Sequence, residues 1–150
     1  MTPSPSGILY PELTALAKNV GYAWLENPSL VVVQLESSSR EAIDAWIKFS
    51  ADIRRGWDAS RPLLILVDVS KGSFSPTPHA TSELKKLVLI RPEIKTCSAI
   101  VLSRSFVSHL IETLVRVTQR SGDSSQNRIF YNREDAALWL KQMAVQLKDQ

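Results

Sequence analysis

With one cysteine in 150 residues the chain can form no intrachain disulfide, and its two histidines leave little material for a metal site or an imidazole catalyst. The five glycines stand singly, so the sequence contains neither a glycine-rich phosphate loop nor a Gly-x-Ser-x-Gly nucleophile elbow. An excess of one charge is missing too. The 18 basic and 15 acidic residues leave a net charge of +3, too small and too scattered for a nucleic-acid surface. The nearest basic cluster, Arg54-Arg55 with Arg61, is expected to solvate a helix end. No apolar run approaches the ~20 residues that span a bilayer. The opening Met1-Thr2-Pro3-Ser4-Pro5-Ser6-Gly7 lacks the basic segment and apolar core of a secretion signal, so a cytoplasmic protein is expected.

What is present is ordinary globular material, 44% hydrophobic and 22% charged, enough for one self-sufficient core. Residues 1–19 are expected to be a disordered or short N-terminal arm, with either a weak helix over Ile8–Lys18, interrupted by Pro11, or an arm packed on the domain; residues 20–150 are expected to form a single α/β domain. Tyr22–Leu25 and Leu30–Leu35, separated by Glu26-Asn27-Pro28-Ser29, predict a β-hairpin. Ser38 with Glu41 forms a capping box, and Ile43, Trp46, Ile47, Ser50, Ile53 and Trp57 follow at helical spacing. The continuous apolar run Leu63–Val69 predicts a central strand buried on both faces. A loop from Lys71 to Pro78 leads to a helix near Ala80–Leu89, and Ser98–Leu102 gives a second buried strand. A helix opens at Ser105 with Phe106, Leu110, Ile111 and Leu114 inward, followed by a polar loop over Ser121–Asn127. Arg128–Tyr131 is a short last strand, and Asn132 caps a final helix. The order is ββαβαβαβα, which implies a mainly parallel sheet of four or five strands covered by helices.

Within that frame, Asp68 is the first candidate for chemistry, because open α/β sheets bind ligands beyond the carboxyl ends of their strands. It opens a hydroxyl-rich loop holding Ser70, Ser73 and Thr77, and His79 follows; these five residues are the expected ligand or partner site. In its other role, Asp68 satisfies backbone N–H groups of the turn behind it. A receiver-type phosphoryl acceptor would need further carboxylates for a divalent metal, and after Leu35 only Glu36 is offered. No metal, cofactor or catalytic residue is expected. Cys97, inside Thr96–Leu102, is a small buried hydrophobe.

Two phrases carry a resemblance. Arg128-Ile-Phe-Tyr-Asn-Arg-Glu-Asp-Ala-Ala-Leu-Trp-Leu140 is similar to a strand-then-helix segment of the STAS-like (SpoIIAA-like) superfamily, and Pro62-Leu-Leu-Ile-Leu-Val-Asp-Val-Ser70 resembles its central strand. Together with the hairpin, the resemblance covers residues 20–145. The superfamily includes bacterial anti-sigma-factor antagonists, whose phosphorylated serine lies in an Asp-Ser-Ser-Gly-like motif. Here Phe74-Ser75-Pro76-Thr77-Pro78-His79-Ala80 stands in its place, without the aspartate and glycine, so the chain resembles the uncharacterised branch of the group. What the resemblance implies is a non-enzymatic binding or regulatory module acting through contact with a protein partner or through self-association. The alternative on the same scaffold is a carrier of a small molecule or lipid, which would require a dry apolar cavity. Tyr10, Tyr22, Trp24 and Trp139 lie on short elements that one core does not wholly cover, and a homodimer is expected from them.

Overall fold

The computed structural model describes residues 12–25, 30–71, 77–103 and 125–148. Nine elements occur among them: β1 Thr14–Ala17, β2 Val20–Trp24, β3 Leu30–Leu35, α1 Arg40–Gly56, β4 Leu63–Asp68, α2 Pro78–Leu87, β5 Thr96–Val101, β6 Ser125–Phe130 and α3 Arg133–Lys148. The strands form one six-stranded mixed sheet in the order β1-β2-β3-β4-β5-β6. The first two pairings are antiparallel and the remaining three parallel. The α/β class is as expected, with six strands in place of four or five. The predicted helix at Ser105 and His109 within it lie outside the described residues, as do Tyr10 and Ser73.

Side-chain alternation divides the core in two. Val31, Val33, Leu35, Val67 and Val69 point to one face, where Ile43 and Trp46 of α1 and Leu84 and Leu87 of α2 cover them. Val32, Leu64, Leu66, Cys97 and Ala99 point to the other, against Ala136, Ala137 and Leu140 of α3. β3 and β4 are apolar in all but one position each, Gln34 and Asp68, as strands covered on both faces are. β4 lies inside the sheet between β3 and β5, as its sequence predicts. Cys97 is 1% exposed. Its burial pushes the thiol up to about 11, so the native chain keeps it protonated where an exposed thiol ionises. That contribution to stability is complete below about pH 9 and fades as pH rises to about 11.

The N-terminal segment differs from expectation. Residues 14–17 are not a helix but pack on the domain as an edge strand paired with β2. Leu13, Leu16 and Ala17 imitate helical spacing, but the neighbouring hairpin offers ready backbone partners, and pairing overrides so short a pattern. The two-residue turn Lys18-Asn19 works because Asn19 takes φ 68°, a left-handed conformation that asparagine tolerates. Gly21 admits the close approach: a Cβ there would lie 3.1 Å from the Cβ of Leu13.

Smaller shifts have local causes. Among the three serines 37–39 the cap of α1 is Ser39, whose hydroxyl accepts from the Ala42 N–H at 3.2 Å. β6 begins at Ser125, inside the expected loop, because Ser125, Gln126 and Asn127 pair with Thr96, Cys97 and Ser98. α2 starts at Pro78, two residues early, with Pro at a position where its missing N–H costs nothing. Asn132 caps α3 as expected, its side-chain oxygen accepting from the Asp135 N–H at 2.8 Å.

Candidate functional site

Asp68 ends β4 with its side chain turned to the α3 face and only 1% exposed. Both carboxylate oxygens are engaged. Oδ1 accepts from the Ser70 N–H at 2.9 Å and from its hydroxyl at 2.5 Å. Oδ2 accepts from Arg133 Nε at 2.5 Å. Arg133 Nη2 continues to the Gln34 oxygen at 2.5 Å, and the Gln34 amide donates to Glu36 at 2.6 Å. This chain fastens the ends of β3 and β4 to the first turn of α3. A buried carboxylate with its oxygens filled by the protein is a fastener rather than a base. Topology agrees. Crevices at the carboxyl edge of open sheets arise where the strand order reverses, and among the described strands it never does.

Of the other described site residues, Thr77 and His79 do not converge on Asp68. Ser70 closes its turn. Thr77 caps α2, its hydroxyl accepting from the Ala80 N–H at 3.0 Å. Losing such a cap costs about 1 kcal/mol, so Thr77 is not the freely replaceable surface position its loop suggests. His79 Nε2 lies 2.6 Å from Asp44 Oδ1 of α1, across the sheet from the Asp68–Arg133 pair. Asp68 and His79 therefore occupy opposite faces. Among the described residues, no three of His, Cys, Asp and Glu gather as metal ligands.

Concave space lies elsewhere. Between the sheet and the α1/α2 layer is a cavity of about 110 Å³. Its floor includes Ile65 and Val67 of β4 with Ser98 and Ile100 of β5. Trp46, Phe49 and Ile53 of α1 and Leu84 and Leu87 of α2 line it from above. The two faces of the inner strands differ accordingly. Leu64, Leu66, Cys97 and Ala99 are shut off on the α3 side, while Ile65, Ser98 and Ile100 are only half-buried on the cavity side. Central-strand residues lose their exposure when packing is complete. Among the described residues, the α1/α2 face leaves room.

Polar groups gather at one end of this space. Arg54, on the last turns of α1, is 5% exposed and lines the cavity together with Ser50 and Thr96. Its Nε donates to the Ile90 carbonyl at 2.8 Å, Nη1 to the Thr96 hydroxyl at 3.3 Å and Nη2 to the Arg91 carbonyl at 3.5 Å. None of these acceptors is charged. Burial pushes the guanidinium below its ordinary value; Glu93 opposes this and Arg91 adds to it, but an arginine stays charged throughout. Arg91 braces the spot from outside. Its guanidinium donates to the carbonyls of Arg54, Arg55 and Trp57 at the end of α1, and pairs with Glu93 at 3.1 Å. Its own backbone takes φ 52°, a strained conformation for a side-chain-bearing residue.

Arg54 is thus no solvated helix end. The signal was in the spacing: Arg54 follows Ser50 by four residues and lies in the same stripe as Ile43, Trp46 and Ile47. Arg133, Gln34 and the cavity itself carried no comparable sign. Comparison with protein-family models, with curated proteins and with solved structures finds no match.

Proposed function

We propose that this chain is a non-enzymatic binding domain of the STAS-like kind that takes a small apolar molecule into the cavity beneath α1 and α2. The observation that supports this reading is the half-buried Ile65 and Ile100 on inner strands, lining about 110 Å³ with Trp46 and Ile53 opposite. A cavity of roughly 150 Å³ accommodates benzene, so a guest with about five carbons is the right scale and a whole acyl chain is too large. The β3–β4–β5–β6 succession of parallel neighbours is compatible with the STAS-like frame. The self-satisfied Asp68 network supports binding without catalysis. Ser98→Leu, which places an apolar side chain into the space from β5, should raise stability by about 1 kcal/mol. It should also abolish binding of isovaleramide, a small neutral probe, measured by calorimetry and by the indole NMR signal of Trp46. Unchanged probe binding in the variant would place any ligand elsewhere, and no binding by the wild-type chain would remove this reading.

A second reading, contact with a protein partner or self-association as a homodimer in the cytoplasm, rests on one surface feature. Trp24 is 37% exposed and stacks on Trp57 at 6.0 Å between ring centroids, with Arg61 lying 5.2 Å over the Trp57 ring. Tryptophan and arginine together are typical of interface centres. Tyr22 and Trp139 contribute less to such a surface, since they pack on Phe49 and Phe130. Among the described residues no helix is long and apolar enough to cross a membrane. Sedimentation equilibrium of Trp24→Ser against wild type tests this reading; a shift from dimer to monomer is expected, and identical monomers in both would refute self-association.

A further inference from the structure

The cavity is apolar almost throughout, yet a buried cation sits on its wall. Arg54 has five N–H donors. Three reach protein oxygens, two of those at 3.3 and 3.5 Å, where a hydrogen bond is weak, and no described carboxylate forms an ion pair with it. A guanidinium taken out of water in this way carries a desolvation cost that neutral carbonyls offset only in part. Among the described residues its immediate surroundings hold Arg91 and Glu93, which pair with each other, so their local balance stays positive by one.

Resting on the binding function proposed above, we propose that the guest is a small apolar carboxylic acid, its hydrocarbon part between Ile65, Ile100 and Trp46 and its carboxylate on the free N–H groups of Arg54. Shape and charge choose this class together. Arginine's planar fork matches a carboxylate's two oxygens, and such charge-assisted bonds strengthen where water is excluded. A phosphate dianion would need more than one cationic partner. A neutral guest would bring no counter-charge to the buried cation. The Thr96 hydroxyl, already donating to the Ile94 carbonyl at 3.3 Å and accepting from Arg54, holds the fork in place and is a positioning residue.

The test compares isovalerate with isovaleramide, two molecules of one shape and different charge, by calorimetry on the full chain at neutral pH. Wild type should bind the carboxylate at least about ten-fold more tightly than the amide, as expected for a hydrogen bond to a charged partner. Arg54→Met should lose that preference, binding acid and amide with equal affinity, and Arg54→Lys should keep part of it. Equal affinity of wild type for acid and amide overturns this inference and leaves the cavity reading intact. Binding of neither overturns both. A preference that survives in Arg54→Met assigns the anion to another group and overturns it as well. Should Arg54→Met fail to fold, the wild-type comparison and Arg54→Lys still decide.

Discussion

Replacing Arg133 with methionine is expected to destabilise the domain by about 3 kcal/mol, because it strands Asp68 as a buried, unpaired carboxylate. The magnitude is at the lower end for a buried pair, since the Arg133 side chain retains 21% exposure while that of Asp68 keeps 1%. The paired change is more telling. With Asp68→Asn in the same chain there is no charge left to strand, and the Ser70 N–H still finds a side-chain oxygen. The double variant should recover most of the loss, giving a strongly non-additive cycle in urea denaturation. Additive effects would show that the two side chains do not depend on each other. Binding to the cavity, which lies on the opposite face, should be unaffected in every folded member of the cycle.

The second large effect concerns β4. Leu66 is fully buried against α3, and Leu66→Asp should abolish folding, since an isolated charge in that layer has no partner and no water. Ile65→Asp, one residue away, should be milder. The Ile65 side chain borders the same cavity as Arg54, so a carboxylate there meets open space and a cation on the wall rather than a packed layer. Circular dichroism and thermal melts of the two variants check the contrast. Equal loss of structure would mean that the α1/α2 face is packed as tightly as the other.

That pair of neighbours also shows how far the sequence could be read. Leu63–Val69 is apolar at every position before Asp68, so periodicity reveals a strand covered on both sides but not which side is the tighter. Packing quality depends on volumes contributed by α1, α2 and β5 together, and no local pattern records it. The hairpin and the helices at α1, α2 and α3 were legible because apolar spacing and cap residues agreed. β1 was not, because four residues with alanines at two positions satisfy helix and strand templates alike. Asp68 was identified from its place at a strand end, but its partner Arg133 comes 65 residues later, a distance over which charge complementarity leaves no sign. Arg54 shows the reverse: its helical phase marked it as inward, and its charge argued for the outside.

The order of the strands bears on how the domain comes together. Every described strand pairs with its successor in the chain, so none of these pairings skips over another strand. Each parallel pairing closes only the one crossover between successive strands, and structure can spread from one βαβ unit to the next like a zipper. β3–α1–β4 is the natural seed, since it joins the longest described helix to two of the most completely buried strands. A domain assembled in this manner extends its parallel core by one crossover at a time.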